Sequence, residues 1–138
     1  PYTTLFRSKT FYNGNEIDLI LFIAENREKL VLKPNDDFGG HGVVLGWECD
    51  DTGWQAALAN AQNSPHVVQE KVPTVQRNFP MWLDGQLDVS PRYVDADPYI
   101  FGGDHVGGCL TRLSPAALLN VTAGGGSVVP TFIITNQR

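Results

Sequence analysis

Apolar positions change their period several times along this chain of 138 residues. Ile17, Ile20, Leu21 and Ala24 recur at helical spacing. Asn15 stands where a cap is needed for a helix beginning at Glu16. Glu16 and Asp18 lie at its positive end, Arg27 and Lys29 near its negative end. Leu19, Phe22 and Ile23 make the other faces apolar, so this helix is expected to pack on more than one side. Residues 30–33 read as a short strand stopped by Pro34, 34–41 as a loop and 42–46 as a second strand. Asp51-Thr52-Gly53-Trp54 is a capping signal. Trp54, Ala57, Leu58 and Ala61 follow at i, i+3, i+4 and i+7, an amphipathic helix of about three turns that Asn63-Ser64-Pro65 ends.

The second half alternates differently. His66 to Val72 reads as a strand, and after Pro73 the chain is expected to be irregular until Phe79. Asp84-Gly85 between Met81-Trp82-Leu83 and Gln86-Leu87-Asp88-Val89 predicts a hairpin. Strands are expected at 92–101 and 106–113, joined by Gly102-Gly103, then a helical turn at 115–119 and a closing strand from Val128 to Ile134. There is no internal repeat and no linker. Two helices among many short strands predict an α+β fold, one mostly antiparallel sheet with helices on one face.

Composition removes several classes. The chain is 42% hydrophobic and 18% charged, which suits a globular domain and not a disordered one. Its net charge is −5 and no lysine or arginine cluster occurs, so nucleic acid is not an expected partner. The most apolar window, Ile17 to Ala24, is interrupted by Asp18 and falls far short of the roughly 20 residues that cross a bilayer, so no membrane partner is expected. Cys49 and Cys109 lie sixty positions apart without CxxC spacing, which fits reduced thiols in the cytoplasm.

The first eight residues, PYTTLFRS, carry no apolar period and no cap. They also match the translation of CCC TAC ACG ACG CTC TTC CGA TCT, the tail of a DNA-sequencing adapter. Residues 1–8 are therefore expected to be non-native or a disordered start, with 9–138 a partial domain whose upstream portion is missing.

Three stretches carry candidate chemistry. In LKPNDDFGGHGVVLG, Lys33 ends a strand and Gly39, Gly40 and Gly42 follow around His41. Such a loop can converge its backbone N–H groups on phosphate oxygens, with the lysine adding a point charge; a plain structural turn is the alternative. In HVVQEKV, a strand running into Gln69, Glu70 and Val72 can present main-chain groups to the edge of a flat heterocycle, or it can simply be an edge strand. Asp95 and Asp97 share one side of a strand, with Arg112 and Asn120 downstream. Hard oxygens of this kind suit magnesium, and an arginine can brace a transferring phosphoryl group. A carboxylate–arginine salt bridge explains the same residues.

Taken in order, LVLKPNDDFGGHGVVLGWE, an amphipathic helix, VVQEKV, VDADPYIFGG and GGCLTRLSPAALLNVTAGGGSVVPTF resemble the ATP-binding part of the ATP-grasp superfamily. The resemblance is to its circularly permuted type 2 group, similar to glutathionylspermidine synthases, and covers roughly residues 16–134. It implies a partial ATP-grasp fold in a ligase that joins a carboxylate to an amine through an acyl phosphate, with ATP and Mg2+ as cofactors. Lys33 would touch the nucleotide phosphates, Gly39, Gly40, His41 and Gly42 would form the lid, and Gln69, Glu70 and Val72 the adenine hinge. Asp97 and Asn120 would hold the metal, and Arg112 would stabilise charge on the γ-phosphoryl. His41 stands where such loops often carry lysine. The resemblance also implies a missing upstream lobe for the substrates, so this chain alone is expected to be inactive. A non-catalytic nucleotide-binding module and an unrelated β-rich binding domain are the alternatives.

Overall fold

The structure is a computed structural model that describes residues 9–119, 126–132 and 134, without the side chain of Leu83. Residues 1–8, Asn120, Gly124 and Gly125 lie outside the described residues, and the expectations placed on them with them. The elements in chain order are β1 (Lys9–Tyr12), β2 (Asn15–Asp18), α1 (Leu19–Glu25), β3 (Leu30–Pro34), β4 (Val44–Leu45), α2 (Asp51–Ala61), β5 (His66–Glu70), β6 (Gln76–Leu83), β7 (Gln86–Phe101), β8 (His105–Ser114) and β9 (Ser127–Val129). A short 3₁₀ turn, Arg27–Lys29, precedes β3. The fold class is α+β, as expected, and every strand pairing is antiparallel. The strands divide, however, into three sheets, β1-β2, β4-β3-β5 and β6-β7-β8-β9. Two compact units contain them, Pro1–Val72 and Pro73–Arg138.

In the first unit, the expected helix start at Glu16 is replaced by a hairpin. Asn13 and Gly14 both take positive φ, 49° and 80°, and fold β2 back on β1. The helix begins three residues later, where Asp18 caps it by accepting from the Leu21 N–H at 3.0 Å. Cross-strand pairing with Lys9–Tyr12 thus overrides a helical stripe that included Ile17. The second helix keeps its predicted stripe: Trp54, Leu58 and Ala61 are buried. Its cap is Asp50, which accepts from the Gly53 N–H at 2.7 Å, one residue before the expected signal.

Both helices cover one face of the three-stranded sheet. Ile23, Leu30, Leu32, Trp54, Leu58 and Ala61 form the core, with Val44 and Val68 packed against it. The Trp54 indole N–H donates to the Ile23 carbonyl at 2.9 Å, so the largest core side chain also joins α2 to α1. Arg27 fastens the chain after β4. Its Nη1 donates to the carbonyls of Gly46 at 2.9 Å and Cys49 at 2.7 Å, and its Nε pairs with Asp51 at 2.6 Å.

In the second unit, β7 runs unbroken for 16 residues, where two separate strands were expected around Pro91. Pairing with β6 covers Gln86 to Tyr93, and pairing with β8 covers Tyr93 to Phe101. Pro91 and Pro98 therefore each sit where β7 has a neighbour on one side only, and neither removes a bond from a doubly paired segment. Asp84 and Gly85 form the expected hairpin turn, with φ of 48° and 78°. Strand β6 begins at Gln76, earlier than expected. Residues 115–118 bend without a helical turn, the Ala116 N–H donating to Ser114 Oγ at 3.1 Å. Strand β9 ends at Val129, before Pro130, and does not run toward Ile134.

Candidate functional site

The face of β4-β3-β5 turned away from the helices follows from strand alternation. Leu30 and Leu32 enter the helix-side core, so Val31 and Lys33 belong to the opposite face. Directly opposed residues in an antiparallel ladder share a face. The register therefore adds Leu45 and Gln69 beside Val31, and Val67 beside Lys33. Val31 is buried, Val67 is exposed, and Lys33 Nζ donates diagonally to Gln69 Oε1 at 2.7 Å. Lys33 and Gln69, both predicted site residues, are in contact.

The glycine loop springs from the end of β3 that carries Lys33. Gly39, Gly40 and Gly42 all take positive φ, 63°, 79° and 67°, values that side-chain-bearing residues rarely adopt. Two successive turns result, closed by His41 N–H to the Phe38 carbonyl at 3.2 Å and Val43 N–H to the Gly40 carbonyl at 3.3 Å. A β-carbon on Gly42 would lie 2.6 Å from Pro34 Cγ, so the loop folds tightly back on the strand end. His41 is exposed, its ring 6.0 Å from that of Phe38.

Strand β5 is the outer strand of this sheet. The Lys71 N–H donates to the Lys29 carbonyl at 2.7 Å, and Pro65 accepts from the Asn35 N–H at 3.0 Å. Alternation from these two anchors turns the main-chain groups of Val68 and Glu70 away from β3, toward the sheet edge. Such groups can read a heterocycle's edge. The side chains of Gln69 and Glu70 part company, however. Glu70 sits opposite Leu30 and accepts a hydrogen bond from the Tyr12 hydroxyl of β1, while Gln69 meets Lys33 on the other face. That hydrogen bond, with desolvation, raises the Tyr12 pKa above its ordinary 10.0. Val72 follows the strand and is exposed.

Two residues of this face escaped the sequence reading. Lys71 continues the alternation of Gln69, and its Nζ lies 4.0 Å from the centre of the Trp47 ring. The i+2 spacing from Gln69 was the available signal for Lys71. Trp47 lies within the turn after β4, closed by the Glu48 N–H donating to the Leu45 carbonyl at 3.0 Å, so no periodicity pointed to it.

The remaining predicted residues belong to the second unit. Asp95 and Arg112 are directly opposed on β7 and β8. Arg112 Nη2 pairs with Asp95 and also with Asp97, the latter at 2.9 Å. Asp97 is thus engaged by a guanidinium, and Asn120 lies outside the described residues. Among the described residues, no three His, Cys, Asp or Glu side chains come together as a metal would need. The donors on view have the form of an ion pair and do not by themselves make a magnesium centre. Among the described residues, no helix is long and apolar enough to cross a membrane.

No protein-family model matches the chain. It is similar to a protein of Frankia alni named "Putative glutamate--cysteine ligase 2-3", with 31% identity over 112 residues, covering 76% of this chain and 13% of that protein. A protein of Frankia casuarinae named "Putative glutamate--cysteine ligase 2-2" matches at 30%, with 76% and 12% covered. An uncharacterised protein of Mycobacterium tuberculosis matches at 30%, with 76% and 20% covered. The chain thus spans between about an eighth and a fifth of the curated relatives it matches, and its sequence is distantly related to one part of proteins named as glutamate–cysteine ligases.

Proposed function

We propose that this chain is the ATP-binding portion of an ATP-dependent carboxylate–amine ligase of the ATP-grasp type. The observation that carries the proposal is the contact between Lys33 and Gln69 on one sheet face, at the root of a loop built from three positive-φ glycines. The similarity to proteins named as ligases supports the reaction class.

In this scheme Lys33 and the loop Gly39, Gly40, His41 and Gly42 surround the phosphates. The cation and the loop N–H groups offset charge on the nucleotide. The end of β5, with Gln69, Glu70 and Val72, meets the base. Lys33 exchanges Gln69 for a phosphate oxygen as the nucleotide enters. The substrate carboxylate then takes the γ-phosphoryl group, ADP leaves, and the amine attacks the acyl phosphate with loss of phosphate. A closed loop keeps water from that intermediate.

Arg112, Asp97 and Asn120 belong to the same proposal as the charge-stabilising and metal-side residues. Arg112 holds Asp97 Oδ2, so a metal at Asp97 would take the other carboxylate oxygen. The doubly occupied guanidinium favours one second reading, a nucleotide-binding module without ligase activity.

The test is ATP-dependent release of ADP and phosphate by the full-length protein, assayed across acids and amines, glutamate and cysteine included. Turnover that needs both an acid and an amine supports the ligase. Tight ATP binding with no turnover on any pair favours the module.

A further inference from the structure

Resting on the nucleotide reading above, we propose that Trp47 is the stacking wall for the purine base, and that Lys71 occupies that wall until the base displaces it. The arrangement comes from the ladder. Lys71 is level with Lys29 through its N–H bond to the Lys29 carbonyl. Its side chain lies on the Gln69 face and reaches across β3 to the indole, 4.0 Å from Nζ to the ring centre. Lys33 lies four residues beyond Lys29, on β3, about 13 Å away at the usual strand rise. One face thus carries a phosphate-type cation at one end and an aromatic plate at the other. An extended nucleoside triphosphate asks for that separation of chemistries.

The relative strengths favour exchange. Trp47 is half-buried, and a lysine over such an aromatic ring shifts its equilibrium by about 2- to 30-fold. A nucleobase stacked on an aromatic side chain is worth about 5- to 150-fold. A stacked base gains more than the lysine over most of these ranges, so it displaces Lys71 from the indole, and Lys71 lowers the apparent affinity. The same plate is indifferent to which purine stacks, so it supplies affinity without discriminating between purines.

The experiment compares ATP with inorganic tripolyphosphate, titrated calorimetrically into the full chain and two variants. Trp47→Ala should weaken ATP binding at least 5-fold and leave tripolyphosphate unchanged. Lys71→Met should tighten ATP about 2- to 30-fold. A Trp47→Ala protein that binds ATP as before, or that loses both ligands equally, overturns the proposal; so does weaker ATP binding by Lys71→Met. Should Trp47→Ala fail to fold, Trp47→Phe and Trp82→Phe carry the test by fluorescence. ATP, and not tripolyphosphate, should quench the Trp82→Phe protein through Trp47, and a quench of equal size in Trp47→Phe refutes the wall. If the unsubstituted chain binds neither ligand, the nucleotide reading itself falls. If it binds both equally, only the wall does.

Discussion

Lys33 Nζ and Gln69 Oε1 meet at 2.7 Å, 36 residues apart in sequence and diagonal to each other across the β3–β5 ladder. The contact is exposed and joins a full cation to a neutral amide, so it adds little to folding and is easily exchanged. A cation held this way is poised and not sequestered.

From that follows the first expectation. Lys33→Ala should leave the denaturation midpoint nearly unchanged and weaken ATP binding by about 1–3 kcal/mol, the range for a charge-assisted hydrogen bond. Isothermal titration against ATP checks it, and an unchanged affinity would remove Lys33 from the site.

Gly46 gives a stability prediction. A β-carbon there would overlap the Arg27 carbonyl and lie 2.9 Å from that of Leu30, both of them backbone atoms unable to move aside. Gly46→Ala should cost roughly 3 kcal/mol or more in chemical denaturation. A loss below about 1 kcal/mol would show that the Arg27 junction yields more easily than its packing indicates.

Tyr12 sets a pH dependence. Its folded pKa is raised, chiefly because the hydroxyl donates to Glu70. The protonated form is the one that folding favours, so this contribution is fully present below the ordinary value of 10.0. It is lost as pH rises through the raised one. Thermal melts between neutral pH and pH 11 should show a loss of stability at the alkaline end that Tyr12→Phe lacks. Parallel curves for the two proteins would contradict the assignment.

Arg112 tests the second unit by itself. Removing it leaves Asp95 and Asp97 side by side without their shared cation. Arg112→Met should destabilise the protein by about 1–2 kcal/mol, discounted because all three side chains are partly solvated. If Asp97 is also a metal residue, Asp97→Asn should abolish any magnesium dependence of ATP binding while Asp95→Asn keeps it. Magnesium dependence kept unchanged by both variants would confine the trio to an ion pair.

Much of the fold was legible because local and tertiary preferences agree there. The α2 stripe, the Asp84-Gly85 turn and the β3 strand ending in Pro34 each arise from period or turn chemistry that packing then reinforces. Residues 15–18 misled because Ile17 extends the helical spacing of Ile20, Leu21 and Ala24, while the deciding partner, Lys9–Tyr12, carries no strong pattern of its own. Ser90-Pro91 suggested a break in β7, since the sequence does not reveal that β8 stops pairing at Tyr93. At the site, the glycine loop and Lys33 could be read directly from spacing. The opposite facing of Gln69 and Glu70 follows from alternation, but the capture of Glu70 by Tyr12 depends on the unforeseen hairpin. Trp47 was hidden for the same kind of reason, because its role depends on a side chain reaching across a strand.

Hydrogen exchange followed by mass spectrometry, with and without ATP, examines the central claim most directly. One nucleotide spanning this face should slow exchange in residues 39–43 and in residues 67–72 together, at the same ATP concentration, and Lys33→Ala should shift both responses to higher concentration alike. Protection confined to one segment, or appearing in the two at clearly different concentrations, would contradict a single ATP held between them.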